Sequence, residues 1–131
     1  MFRKIGAFEP YALSIMRIVV GFMFTCHGAQ KLLGWLSPRG PVPFGTLPWF
    51  AGFIETFGGL LILLGLFTAP VAFLLCGEMA VAYFRSHAPR GGLPLTNGGE
   101  MAVLYCFIYF HLATRGGGAW SLDRLWRKSA P

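Results

Sequence analysis

Four long apolar runs, separated by loops rich in proline and glycine, are the feature that most constrains how this chain can fold. They cover about residues 11–33, 49–67, 69–87 and 99–114. Each run approaches the roughly 20 helical residues that cross the ~30 Å hydrocarbon core of a bilayer. Only helices or closed barrels satisfy the backbone in lipid, and the runs lack strict alternation, so they predict helices. The expected fold is an all-α membrane protein: one domain over residues 1–131, a four-transmembrane-helix bundle with up-down-up-down topology.

The composition favours a membrane environment over water. Hydrophobic residues make up 55% of the chain and charged residues only 12%, whereas soluble domains carry about 25% charged residues. The formal net charge of +6 would suggest nucleic acid as the partner of a soluble protein. Here the basic residues lie mainly at the ends of the apolar runs and in the tails, where anionic lipid headgroups would be. We therefore expect the lipid bilayer as the partner, and no nucleic acid.

The distribution of Lys and Arg predicts the side of the membrane on which the chain ends lie. The terminal segments hold Arg3, Lys4, Arg115, Arg124, Arg127 and Lys128. The opposite side holds at most Lys31, Arg39, Arg85 and Arg90. Because basic segments stay inside, both termini are expected in the cytoplasm. The tail, residues 120–128, is expected to form a short interfacial helix with Ser121 as its cap.

The three cysteines, Cys26, Cys76 and Cys106, show no pattern of a metal site or a redox motif. Each lies inside an apolar run, no pair has CxxC spacing, and no Cys/His cluster resembles a zinc site. We expect buried thiols, no disulfide and no metal. The glycine run at residues 116–118 follows no strand and lacks P-loop chemistry, so no nucleotide signature appears.

Ionisable residues inside the apolar runs are costly in lipid, so their positions are informative. They are Arg17, His27 and Lys31 in the first run, Glu55 in the second, Glu78 in the third, and Glu100 and His111 in the fourth. Where a helix carries more than one, they share a face, which suggests that these groups point inward toward each other. Lys31, Glu100 and His111 also lie near helix ends, where charges have ordinary structural reasons.

Two pairings follow from the estimated depths of these groups. His27 and Glu55 both lie about 9 Å inside the outer ends of antiparallel helices, which predicts a contact between them. Arg17 and Glu78 lie about 9 and 12 Å from the inner ends of two parallel helices, which predicts a buried ion pair. Small residues also predict close helix packing on the second helix, where two pairs are spaced by seven. These pairs are Gly52 with Gly59, and Gly58 with Gly65.

Several motifs resemble those of the DoxX family. Residues 27–34, His-Gly-Ala-Gln-Lys-Leu-Leu-Gly, resemble the family's HGxQKLFG motif, with Leu33 where Phe is usual. Residues 53–59, Phe-Ile-Glu-Thr-Phe-Gly-Gly, resemble its second helix, and residues 98–100 and 120–123 also match. The resemblance covers nearly the whole chain. It implies a bacterial-type inner (plasma) membrane protein with four helices.

The resemblance also implies a function. The family is named after a subunit associated with thiosulfate–quinone oxidoreductase, and some members are linked to oxidative stress or to quinone and catechol degradation. We therefore expect an accessory or subunit of a membrane redox system that handles a quinone-like molecule. Its pocket, open to the outer half of the bilayer, would hydrogen-bond and exchange protons with carbonyl or hydroxyl groups. The expected lining residues are His27, Gln30, Lys31, Glu55 and Glu100.

Electron transfer would need a further component, because no residue of the chain carries electrons unaided. We expect no intrinsic cofactor, and either a redox-enzyme subunit as partner or a bound cofactor such as a quinone. Two other functions fit the same residues, and whether the chain is an enzyme is left open. In a non-enzymatic assembly or scaffold subunit, the polar groups would only fix helix register. In a proton-coupled small-molecule carrier, four helices would suggest a homo-oligomer.

Overall fold

Helices and loops make up residues 2–129, the part of the chain that this computed structural model describes, and no strand occurs there. Residues 1, 130 and 131 of the predicted domain lie outside this part. The helices are α1 (Phe2–Gly6), α2 (Glu9–Leu33), α3 (Leu47–Leu64), α4 (Thr68–Ala82), α5 (Pro94–Asn97), α6 (Glu100–Arg115) and α7 (Leu122–Ser129). A π-helical turn, Tyr83–His87, and a 3-10 turn, Ala88–Arg90, continue α4. The all-helical prediction is confirmed for the described residues, and α1 is an addition that no apolar run predicted.

The ends of α3 explain why it is shorter than the predicted run 49–67. Pro48 lies in the first turn, where its missing N–H costs no hydrogen bond. Gly65 ends the helix, because its φ of 68° is left-handed and its N–H donates to the carbonyl of Ile62 at 3.0 Å. The predicted extension to residue 67 is therefore wrong.

Glycines allow α2 and α3 to pack with their backbones close together. A Cβ atom added at Gly21 would lie 2.5 Å from the backbone nitrogen of Leu63. One added at Gly59 would lie 2.6 Å from Oγ1 of Thr25. Because the higher residue number on α2 meets the lower one on α3, the two helices run antiparallel. Gly58, one residue earlier, faces Leu75 on α4 instead, so the predicted packing roles of Gly58 and Gly59 are confirmed. Gly65, predicted to share the face of Gly58, lies past the helix end against Ser121 and Arg17, so that pairing is wrong.

The long helices α4 and α6 pack against each other and against the first two. The thiols of Cys76 and Cys106, both half-buried, lie 3.6 Å apart between α4 and α6. The ring of Phe24 on α2 packs edge-on against Tyr109 on α6, with 5.0 Å between the ring centroids. Side chains from all four long helices are fully buried in the shared core: Ile62, Leu75, Tyr109 and Leu112, with Phe24 only 2% exposed.

The tail forms the predicted helix, α7, and is hydrogen-bonded to the turn between α3 and α4. Ser121 caps this helix, because its Oγ accepts a hydrogen bond from the N–H of Arg124 at 3.3 Å. The carboxylate of Asp123 accepts hydrogen bonds from the N–H groups of Phe67 and Thr68, at 2.7 and 2.8 Å. These bonds cap α4 from outside and hold Phe67 at a φ of 52°, which non-glycine residues rarely adopt.

The outer surface of the long helices is apolar. Two of them, α2 with 25 residues and α3 with 18, are long and apolar enough to cross a membrane. The other two, α4 with 15 residues and α6 with 16, are shorter. They nevertheless present large apolar side chains outward: Phe73 is 71% exposed and Phe107 is 66% exposed. Contiguous apolar surface of this kind suits hydrocarbon better than water.

Candidate functional site

The five residues predicted to line one pocket lie on three separate surfaces. His27 and Gln30 line a small groove of about 280 Å³ beside α2. Lys31 and Glu55 line a larger groove of about 710 Å³ along α3 and α4. Glu100 is exposed in the first turn of α6 and lines neither groove. The prediction of a single pocket is wrong because α3 and α6 both contact α2, so Lys31 lies against α3 whereas His27 faces α6.

Lys31 and Glu55 form an ion pair at the larger groove. Nζ of Lys31 lies 2.6 Å from Oε1 of Glu55, whose side chain is almost completely buried. Gly52, one turn before Glu55, lets the stem of Lys31 lie against α3, because an added Cβ would come within 2.8 Å of it. His27 instead packs against the ring of Tyr105, with 6.3 Å between centroids. The predicted contact between His27 and Glu55 is therefore wrong: Lys31 reaches the carboxylate, and His27 faces α6.

Glu78 on α4 brings a second carboxylate to the larger groove, although the predicted pocket did not include it. Both of its oxygens are buried, and neither has a hydrogen-bond partner among the described residues. Oε2 of Glu55 is also buried without a partner there. The exposed side chains of Arg85 and Ser86 complete the polar lining. The sequence signal for Glu78 was its position in the middle of the third apolar run, far from either end.

Arg17 binds backbone carbonyls and not Glu78, so the predicted buried ion pair is wrong. Its fully buried guanidinium donates to the carbonyls of Ile62 and Leu63, at 2.5 Å each, of Gly117 at 2.8 Å and of Trp120 at 2.6 Å. The last carbonyls of a helix have no partner within it and form the negative end of its dipole. The end of α3 therefore attracts the guanidinium and satisfies it without a carboxylate.

The larger groove combines apolar walls with a few polar groups, as small-molecule sites usually do. Its apolar lining comes from α3 and α4 and includes Leu47, Phe50, Ala51, Ile54, Phe73, Leu74 and Val81. Lys31 can donate hydrogen bonds, and the carboxylates of Glu55 and Glu78 can accept them. A carboxylate without a partner can also take a proton from a hydroxyl group that enters the groove. The arrangement can bind an apolar ring or chain that carries carbonyl or hydroxyl groups.

Metal chemistry has no evident site in the part of the chain that the structure describes. No group of three or more His, Cys, Asp or Glu side chains there is placed to hold an ion. Cys26 lines the smaller groove beside His27, and its other neighbours are mostly apolar. The chemistry available at the larger groove therefore rests on Lys31, Glu55 and Glu78.

Comparison with known proteins identifies the family. The sequence pattern of the DoxX family matches residues 12–88, more than half of the chain. An uncharacterized protein of Haemophilus influenzae is 43% identical over 122 residues, which cover 88% of this chain and 91% of its own. An uncharacterized membrane protein of Mycobacterium tuberculosis is 28% identical over 148 residues, covering 98% and 89% of the two chains. No solved structure matches. The motifs at residues 27–34 and 53–59 therefore mark a true relationship, and this chain belongs to the DoxX family of membrane proteins.

Proposed function

We propose that α2, α3, α4 and α6 all cross the plasma membrane as an up-down-up-down bundle, with both termini in the cytoplasm. The helical backbone of α4 continues through the five residues of the π-helical turn to His87, which adds about one turn to its length. The 16 residues of α6 span about 24 Å, and Arg115 at its end can reach the headgroups. The exposed rings of Phe73 and Phe107 would face lipid, which supports a crossing by both shorter helices.

Reporter fusions test this topology. A reporter joined to the C-terminus should be active in its cytoplasmic form, and one inserted at residues 40–45 should be active in its periplasmic form. A truncated fusion that ends at Phe67, after two helices, is the matched control and should also report the cytoplasm. Paired alkaline phosphatase and β-galactosidase activities give the readout. A periplasmic C-terminus would contradict the four crossings.

We further propose that the larger groove binds a quinone-like molecule, and that the protein is an accessory or subunit of a membrane redox system. The observation that carries this proposal is the Lys31–Glu55 pair lying in one apolar groove with the unpartnered carboxylate of Glu78. The ammonium of Lys31 would donate to a quinone carbonyl, and Glu78 would accept from a hydroquinone hydroxyl. The rings of Phe50 and Phe73 would contact the apolar part of the molecule.

In this role the chain binds the molecule and accepts or releases protons, and a partner exchanges the electrons. Reducing a quinone to a hydroquinone takes up two electrons and two protons. The side chains of the groove cannot donate electrons, so these would pass from or to a redox-enzyme subunit. Glu78, buried on α4 without a partner, would hold or release one of the protons.

Glu78→Gln should weaken the binding of a hydroquinone by about tenfold or more. The substitution keeps the shape and removes the charged acceptor, and a hydrogen bond to a charged group contributes about 1.5–3 kcal/mol. Binding of decylubiquinol to the full-length protein in lipid nanodiscs would be measured at equilibrium. A photoreactive azidoquinone would show by mass spectrometry which segments line the site, and we expect labels on α3 and α4.

Glu100→Gln is the matched control for this experiment. It makes the same chemical change at an exposed position outside both grooves, so hydroquinone binding should equal that of the wild type. Equal losses in the two variants, or labels confined to the smaller groove beside His27, would exclude the larger groove as the site.

A non-enzymatic assembly subunit is the second candidate, favoured by the surroundings of Arg17. Among the described residues, this buried charge binds only backbone carbonyls and so serves the architecture. If the polar groups of the groove were architectural too, the wild type would bind decylubiquinol no better than Glu78→Gln. Glu78→Gln would then raise stability, because it removes a buried carboxylate that has no partner.

A further inference from the structure

A third cavity, a cleft of about 560 Å³, lies at the other end of α4 from the larger groove. It is formed by the start of α4, the glycine segment 116–118 that follows α6, and the helix α7. Four cationic side chains line it: Arg115, Arg124, Arg127 and Lys128. Among its described lining residues, Asp123 is the one carboxylate. The cleft therefore carries net positive charge.

Within residues 2–129, few carboxylates neutralise this positive charge. Arg115 forms an exposed ion pair with Glu9. The carboxylate of Asp123 is already engaged by the two backbone N–H groups at the start of α4. Arg127 and Lys128 form no ion pair with any other residue that the structure describes. Two cationic groups are thus available to an anion that enters the cleft.

Thr68 is an independent indication that the cleft takes a ligand. Its side chain is fully buried and lines the cleft, and its Oγ1 has no hydrogen-bond partner within residues 2–129. Buried hydroxyl groups in proteins normally have a partner. Thr68 also begins α4, where its own N–H already binds the carboxylate of Asp123. The hydroxyl is therefore the donor left for a ligand, and an anionic oxygen in the cleft would accept the missing hydrogen bond.

We propose that this cleft binds the phosphate group of an anionic phospholipid. The phosphate oxygens would accept hydrogen bonds from the hydroxyl of Thr68 and charge-assisted ones from Arg127 and Lys128. A lipid is favoured over free phosphate because Phe67 and Trp120, at and next to the cleft, expose their rings, as aromatic residues do at headgroup level. This inference rests on the proposed topology, which places α7 at the cytoplasmic surface of the membrane.

Native mass spectrometry of the full-length, detergent-purified protein tests the proposal. The protein is incubated with equal concentrations of dioleoylphosphatidylglycerol or dioleoylphosphatidylcholine, and the retained lipid is counted. We expect preferential retention of the phosphatidylglycerol. The double variant Arg127→Gln with Lys128→Gln should bind this lipid about 30-fold more weakly, because each basic residue contributes separately to the attraction.

The matched control is the double variant Arg39→Gln with Arg90→Gln. It removes the same charge from exposed positions that do not line the cleft, and should bind phosphatidylglycerol as the wild type does. Equal losses in both double variants would overturn the proposal, because they would reflect total charge alone. Inorganic phosphate is the third arm: displacement of the lipid by millimolar phosphate would assign the cleft to the free anion and overturn the lipid assignment.

Thr68→Val separates ligand binding from folding. Valine keeps the shape and removes the unpartnered Oγ1, so thermal stability in detergent should not fall, while phosphatidylglycerol binding should weaken about fivefold. Unchanged lipid binding would overturn the placement of the phosphate at the start of α4. Decylubiquinol binding at the other end of α4 should be unaffected in all these variants. Failure of the lipid site is therefore distinguishable from failure of the quinone site or of the topology.

Discussion

Replacing Arg17 with leucine should destabilise the protein by about 3–5 kcal/mol. The substitution removes the donor of four hydrogen bonds. The carbonyl of Ile62 keeps its bond from the N–H of Gly65, and the other three carbonyls lose their partner. Each buried unpaired group costs about 1–3 kcal/mol. Water entering from the nearby surface would satisfy some of them, which limits the sum. Arg17→Lys should lose roughly half as much, because lysine keeps the charge but not the planar fork of donors. Unfolding of the purified protein in detergent micelles on titration with dodecyl sulfate, followed by circular dichroism, measures these differences.

Arg115→Leu is the matched control, because it makes the same change at an exposed arginine. Arg115 pairs with Glu9 at the surface, and such pairs contribute at most about 1 kcal/mol. The difference between the two losses of unfolding free energy tests whether burial against the end of α3 makes Arg17 more important for stability than an exposed arginine. Comparable losses in Arg17→Leu and Arg115→Leu would show that the four carbonyl contacts contribute little.

Adding one methyl group at Gly21 should also be strongly destabilising, by about 3 kcal/mol. The new Cβ would lie 2.5 Å from the backbone nitrogen of Leu63 and 2.9 Å from the carbonyl oxygen of Gly59. Neither contact can be relieved by rotating a side chain, so α2 and α3 would have to move apart. The separation would also weaken the hydrogen bonds of Arg17 at the same interface. The dodecyl sulfate unfolding assay would measure the combined loss of stability from both effects.

Gly77→Ala makes the same chemical change and should raise stability where Gly21→Ala lowers it. Gly77 lies inside α4 with nothing within 4 Å of an added Cβ. Alanine there should stabilise the helix by about 0.5–1 kcal/mol, because glycine loses more backbone freedom on folding. A Gly21→Ala protein as stable as Gly77→Ala would mean that α2 and α3 are not in backbone contact.

The sequence by itself determined the helical architecture, the family and the cap of the tail helix α7. A backbone segment in an apolar run must satisfy its hydrogen bonds within the segment, so the four runs predicted α2, α3, α4 and α6 whatever their neighbours. Ser121 marked a helix start, because a cap involves residues only a few positions apart. The end of α3 at Gly65 was not predicted, because the apolar run continues past it to residue 67. The spacing of Gly52 and Gly59 predicted a packed face, since an α-helix repeats every 3.6 residues.

Only the tertiary structure decided the partners of the polar groups. The acceptors of Arg17 lie 45 to 103 residues away in the chain. They are backbone carbonyls, which every residue has, so no side-chain pattern identifies them. Estimates of depth brought Arg17 level with Glu78 but could not show which way each side chain points. Similarly, Lys31 and not His27 reaches Glu55, because α3 and α6 pack on different sides of α2 and leave each side chain a different neighbour.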